Sequence, residues 1–380
     1  MQSTLIWDLP LRLFHWLFAA SFLGAWLTTE SDQWLSLHTF FGYLMLSLIG
    51  FRLVWGLTGS RYARFSSFLY GPRVGLDYLR QAIAGSAARH LGHNPAGSQA
   101  VFLLLGLGLL VGLSGLFTQG GEEQQGAAAI GGLSFALGKA IKEGHGLLAN
   151  LMLLVVFAHL AGVALESWLH QENLARSMVT GLKAAESGAP AARPHKLVGL
   201  LLLVAVATFG TWWFFYAWHE PVERLGGHDD AANEAPHVAF VGKPLPESAK
   251  WQEECGSCHL AFHPSLLPAR SWQALLAGQG RHFGDDLGLD AATVAELLAF
   301  AVPNAAEQGA TEAAWKINRS IPTSSTPLRI SETPYWTKKH REIADVDWQN
   351  PKVKSKANCA ACHRDAEAGT FEDAAMQVRN

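Results

Sequence analysis

Five stretches of this chain are apolar over a length that can cross a lipid bilayer: roughly Leu11–Leu27, Leu37–Leu57, Gln99–Phe117, His145–Leu165 and Leu197–Trp218. A spanning helix needs about 20 such residues. A hydrocarbon core offers no water to unpaired peptide groups, so segments of this kind fold as helices. Beyond residue 219 the chain turns polar and rich in proline, which divides it into a membrane part and a soluble part. With 49% hydrophobic and only 16% charged residues among 380, it is too apolar for an ordinary two-domain soluble protein. A net charge of −3 gives a nucleic-acid partner no electrostatic support. The first segment is read as a helix and not as a signal peptide: its only basic flank is Arg12, and no small-residue cleavage site follows "GAWLTTE".

Basic residues near helix ends set the expected orientation. Arg61, Arg64, Arg73, Arg80 and Arg89, against the single acid Asp77, lie between the second and third segments. Arg176, Lys183, Arg193 and Lys196 lie between the fourth and fifth, whereas the other two loops hold only Lys139 and Lys142. This bias places the N-terminus and the basic loops in the cytoplasm, and five crossings place everything after Trp218 outside. Trp212, Trp213, Tyr216 and Trp218 suit an aromatic belt at that outer interface.

The fourth segment, "EGHGLLANLMLLVVFAHL", carries His145 and His159, fourteen residues apart. That spacing advances a helix by about 21 Å and returns it to within roughly 40° of its starting direction. The two rings therefore face one side at two depths. The bland reading is two histidines bonded to backbone or packed between helices, but ionisable groups inside a membrane mark function when a partner exists. Partners exist: His15 lies near the inner end of the first segment and His38 at the outer start of the second. Topology levels His15 with His159 and His38 with His145. Two imidazoles without a third ligand make a poor zinc site. A haem supplies four nitrogens of its own, so two histidines suffice. Two b-type haems are expected, one per leaflet.

All four cysteines fall in two copies of one motif, "CGSCH" (Cys255, Cys258, His259) and "CAACH" (Cys359, Cys362, His363). Cys-x-x-Cys-His is the attachment signature of c-type haem. A zinc site would make the adjacent histidine a coincidence twice over, and a redox dithiol would call for a βαβ setting that the sequence lacks. Attachment outside the cytoplasm agrees with the topology. For the sixth iron ligands the tail offers one methionine, Met376, so at least one site cannot be His/Met. His282 and His340, beside helical stretches, are the favoured distal ligands, with His263 in reserve because Pro264 biases it towards an extended backbone. His228 and His237 lie in an acidic, Pro/Gly-rich linker and are read as solvated. Ligation without methionine implies low potentials. His90, His93, His170 and His195 are read as surface histidines of the basic loops. Arg12 and Arg52, near the inner helix ends, are candidates to pair with haem propionates, or simple positive-inside anchors.

The stretches "WDLPLRLFHW", "GSRYARFSSF" and "GHGLLANLMLLVVFAHLAGVALES" resemble the bacterial cytochrome b561 family, which includes the b-type cytochrome subunits of nickel–iron hydrogenases. The resemblance covers about residues 5–185. It implies a helical bundle with two b haems that exchanges electrons with quinone, and it matches His15, His38, His145 and His159 to the iron ligands. The tail, "CGSCHLAFHPSLLPARSW" through "NCAACHRDAEAG", resembles the DHC-type dihaem cytochromes c over about residues 250–370.

The expected fold is all-α: a transmembrane helical bundle, with a four-helix haem b core and a fifth tethering helix, followed by a small, mostly helical dihaem cytochrome c domain. The expected parts are the b561-like domain (1–185), the fifth helix (186–220), a periplasmic linker (221–250) and the dihaem domain (251–380). The expected cofactors are two haem b and two haem c, with quinone or quinol as substrate. The expected setting is the bacterial inner membrane, with lipid, the quinone pool of a respiratory chain and a periplasmic cytochrome or other redox protein as partners. The leading functional expectation is a quinol:cytochrome c-type oxidoreductase. The rivals are a superoxide oxidase that reduces quinone, and an electron-transfer anchor subunit for a periplasmic dehydrogenase or hydrogenase.

Overall fold

The computed structural model describes residues 2–29, 34–217, 243–341, 343–372 and 375–376. Two compact units are present, one of residues 1–115 with 143–218, the other of residues 116–142 with 219–380. Both are mostly helical. His228, His237 and Trp218 lie outside the described residues.

The first unit begins with a strand, β1 (Gln2–Leu5), and helix α1 (Leu9–Leu27). Asp8 starts α1: its carboxylate accepts from the Leu11 N–H at 2.9 Å, and Pro10 occupies the first turn, where no N–H is needed. The same carboxylate accepts from Trp55 Nε1 at 3.1 Å on α2 (Leu35–Thr58), so one buried acid both caps α1 and ties it to its neighbour. An amphipathic helix, α3 (Pro72–Ile83), follows; it buries Gly75, Tyr78 and Ala82 and leaves Val74, Leu76, Leu79 and Ile83 exposed. Such a helix suits a membrane surface. Then come α4 (Pro95–Glu122), α5 (Phe135–Leu169), α6 (Leu174–Thr180), strand β2 (Leu182–Ala185) and α7 (Lys196–Trp212), which continues as a π-helical turn, Trp213–Ala217.

Among the described residues, four helices are long and apolar enough to cross a membrane: α2, α4, α5 and the stretch Lys196–Phe215, made of α7 and the start of its π-helical continuation. Helix α1, the first of the five expected spans, has the length at 19 residues. Pro10, Arg12 and His15 dilute its apolar content. Its inner face nevertheless joins the bundle core, where Leu11 and Phe14 meet Leu44, Met45, Leu48 and Ile49 of α2, Leu105 of α4, Met152 of α5 and Leu202 of α7. Lipid tails are as apolar as leucine, so helices associate through close packing at small residues. Gly112 shows this: a Cβ there would sit 2.4 Å from the Leu46 side chain.

Helix α5 has two faces. Leu147, Leu151, Leu154 and Leu160 are exposed, while Met152 is buried and Ala149 and Val156 pack on the core. His145 and His159 continue the second stripe at its helical spacing, which puts both on the bundle side. A feature absent from the sequence reading is the antiparallel pairing of β1 with β2, in register from Gln2↔Ala185 to Leu5↔Leu182. It clasps the N-terminus to the segment after α6. Gly181, at φ +83°, makes the turn into β2, and its carbonyl accepts from the Ile6 N–H at 2.9 Å.

In the second unit, helices α8 (Ala249–Cys255), α9 (Ala269–Ala277), α10 (Ala291–Ala301), α11 (Glu312–Ser320), α12 (Pro334–Lys339) and α13 (Asp345–Trp348) are short and joined by tight turns. Trp251, Leu267, Trp272, Leu276, Leu297 and Ala301 form one core, and Leu266, Ile317 and Ile321 another. The connection between α4 and α5 belongs to this unit: Phe135 is fully buried, with its ring 5.4 Å from that of Trp315 on α11.

Candidate functional site

Four histidine pairs stand out. The ring centroids of His15 and His159 are 6.5 Å apart, and those of His38 and His145 are 6.0 Å apart. In the second unit His259 lies 6.3 Å from His282, and His340 lies 6.3 Å from His363. Two imidazoles that held one metal from opposite sides, with metal–nitrogen bonds of about 2 Å, would have their ring centres about 6 Å apart. All four pairs fall close to that spacing. No group of three or more His, Cys, Asp or Glu side chains converges as a bare-metal site among the described residues. A paired arrangement suits a macrocycle that brings its own four nitrogens.

Hydrogen bonds orient several of these rings. His38 Nδ1 donates to the Ala25 carbonyl at 2.9 Å, and His145 Nδ1 lies 3.0 Å from the Val111 carbonyl. His340 Nδ1 donates to the Trp336 carbonyl at 2.8 Å, and His259 Nδ1 to that of Leu260 at 2.8 Å. A carbonyl partner fixes the proton on Nδ1 and leaves Nε2 as the coordinating nitrogen. Space exists around the pairs as well. A Cβ on Gly42, one turn after His38, would meet nothing within 4 Å, whereas one on Gly115 would come 3.1 Å from His145 Cε1.

His282 reaches His259 through a built loop. Gln279 holds it at both ends of its side chain, donating to the Leu289 carbonyl at 2.7 Å and accepting from the Leu289 N–H at 2.8 Å. The tight turn from His282 to Asp285 uses positive φ at Phe283 and Gly284. His340 is stacked on Trp336 at 4.2 Å and lies 6.1 Å from Trp348. Burial lowers the pKa of both His282 and His340, which favours the neutral, ligating form.

His263, the reserve ligand, joins no pair. Its Nε2 donates to the Pro246 carbonyl at 3.0 Å and its Nδ1 accepts from the Ser265 N–H at 3.1 Å. Both ring nitrogens are committed to backbone. Met376 pairs its backbone with that of His363 in an isolated bridge. Cys255, Cys258, Cys359 and Cys362 form no disulfide with one another.

One histidine read as a surface group is placed otherwise. The His93 ring packs 4.1 Å from that of Phe68 and 4.8 Å from that of Trp7, with Nδ1 buried. Those partners are distant in sequence, so the polar loop around His93 gave no sign of the enclosure. His195 likewise meets the Trp55 ring edge-on at 5.0 Å.

Transmembrane helices carrying paired histidines, joined to a small helical unit with two Cys-x-x-Cys-His motifs, define a membrane cytochrome. Residues 6–181 match the family model of prokaryotic cytochrome b561, and residues 251–371 match that of dihaem cytochrome c. The chain belongs to the dihaem cytochrome c family and carries that domain behind a cytochrome b561 domain. A dihaem cytochrome c from Rhodobacter sphaeroides is 39% identical, covers 34% of this chain and is itself covered completely, at 100%, with a TM-score of 0.30. A dihaem cytochrome c from Shewanella baltica is 33% identical over 35% of this chain and 94% of its own, with a TM-score of 0.29. No curated protein matches. The two domains imply haem b and haem c and make the chain an integral-membrane electron-transfer protein.

Proposed function

We propose that this protein carries electrons across the bacterial inner membrane between the quinone pool and a periplasmic redox protein, through two b haems and two c haems. The observation that supports this reading is the spacing of the four histidine pairs, 6.0 to 6.5 Å between ring centres. His15 with His159, and His38 with His145, hold the b haems on the cytoplasmic and periplasmic sides. His259 with His282, and His363 with His340, hold the c haems, whose porphyrin edges are fixed by Cys255, Cys258, Cys359 and Cys362. Bound haem supplies one-electron redox chemistry, while the chain sets its position and potential. Backbone carbonyls orient His38, His145, His259 and His340, and the apolar bundle keeps water from the inner pairs. Quinol is the proposed donor and a periplasmic cytochrome the proposed acceptor.

The test is pyridine haemochrome analysis of the purified chain, followed by reduction with quinol under anaerobic conditions. Equal amounts of b and c haem, with all reduced by quinol, support the reading. A b:c ratio clearly different from one, or b haems that quinol leaves oxidised, would overturn it.

A further inference from the structure

The His15/His159 pair has buried neighbours that electron transfer alone does not explain. Arg52 on α2 is 1% exposed, and both terminal nitrogens of its guanidinium are buried without a hydrogen-bond partner among the described residues. One face of the group lies 4.5 Å from the Phe65 ring centre. An arginine remains charged in a protein, and burying its charge with the terminal nitrogens unbonded is costly. Asp8, the buried carboxylate at the head of α1, is already held by Leu11 N and Trp55 Nε1. Its charge acts on Arg52 through space, but among the described residues it makes neither an ion pair nor a hydrogen bond with it.

His93 closes the other side. Its ring meets Phe68, which packs on Phe65 beneath Arg52 at 5.9 Å. His93 Nδ1 is buried and has no partner among the described residues. Burial first, then the charge of Arg52, holds its pKa down to about 3, and Lys183, His159 and His15 also act on it. A neutral imidazole has one N–H to give. Arg52 thus presents donors with no acceptor, and His93 adds an unpaired ring nitrogen that can donate when it carries the proton.

We infer that Arg52 and His93 form a carboxylate-binding site whose ligand is a propionate of the haem held between His15 and His159; this rests on that pair being haem ligands. The planar guanidinium fork matches a carboxylate with two parallel bonds. The donor nitrogens are closed to solvent, so the anion must enter as part of a larger buried group. A propionate on a porphyrin meets that condition, and a diffusible carboxylate does not. The same argument separates Arg52 from Arg12, where one terminal nitrogen already donates to the Val179 carbonyl.

The test uses the full-length, haem-loaded protein with haem labelled by carbon-13 at the propionate carboxyls. In redox-difference infrared spectra, Arg52→Met should shift a label-sensitive carboxylate band, while Arg52→Lys, which keeps the charge, should shift it less. In a redox titration Arg52→Met should lower the midpoint of one b haem only, because removing a cation favours the ferric form. His93→Phe should move the same component, and His93→Gln, which keeps a donor, should restore it. Should Arg52→Met fail to fold, the lysine and His93 variants decide the matter. Unchanged labelled bands and midpoints in all folded variants would overturn the inference and leave a diffusible anion or none. Failure of the underlying reading looks different: His15→Ala and His159→Ala would each leave both b haems in place.

Discussion

His263→Ala should weaken the dihaem domain without opening either c haem. The ring donates to the Pro246 carbonyl and accepts from the Ser265 N–H, and Ser265 is 1% exposed. Each bond contributes about 0.5–1.5 kcal/mol net, and a buried N–H left unpaired costs about 1–3 kcal/mol. Ser265 can regain little from water, so the variant should lose about 2 kcal/mol. Burial lowers the His263 pKa below its ordinary value of 6.5. The unfolded chain therefore binds that proton more tightly than the folded one. The contribution of the neutral ring is complete above about pH 6.5 and is lost as pH falls through the depressed folded value. The stability gap between wild type and variant should narrow as the solution is acidified through that window. Denaturant unfolding of the full chain, followed by the visible circular dichroism of its c haems, measures both effects. A gap of zero at neutral pH, or carbon monoxide binding to a reduced c haem of the variant, would refute the assignment of His263 as a backbone staple.

Three further outcomes are expected. His282→Ala and His340→Ala should each turn one c haem high-spin and able to bind carbon monoxide when reduced, read from difference spectra. His159→Ala and His145→Ala should each abolish one of the two low-spin b signals in low-temperature spectra, and the double variant should abolish both. Gly115→Leu should displace the His145 ring, since even a Cβ there would come 3.1 Å from Cε1; its spectrum should show one b haem perturbed or lost, the other b haem and both c haems retained.

Much of the helical architecture could be read from the sequence because its signals are local. A lipid-spanning helix announces itself by composition, and a Cys-x-x-Cys-His motif carries three groups within five residues. The histidine pairing was also accessible, because spans alternate in direction and so bring the start of one helix level with the end of the next. The sequence favours His282 and His340 over His263 on weaker grounds, and only the folded chain shows Gln279 shaping one loop and Trp336 supporting the other ring. The β1–β2 clasp had no such signal: four residues at each strand, about 180 positions apart, pair only because the bundle brings them together.

His93 shows why some polar groups resist a reading by sequence alone. Its neighbours in the chain are Gly92 and Asn94, the marks of an exposed turn, and the residues that enclose it come from elsewhere: Trp7 before α1 and Phe68 between α2 and α3. Arg52 posed the opposite problem. An arginine near the end of a basic-flanked span has a ready explanation in the positive-inside rule, but that rule places charge at the membrane surface, where water can solvate it. A guanidinium buried at 1% exposure over Phe65 gains nothing from that arrangement. The charge of Asp8 acts on it through space, but that carboxylate is hydrogen-bonded to the helix cap and Trp55 and leaves the terminal nitrogens of Arg52 unbonded among the described residues. The unbonded guanidinium nitrogens of Arg52 and the unbonded ring nitrogen of His93 therefore point together to an anion carried into the bundle beside His15 and His159.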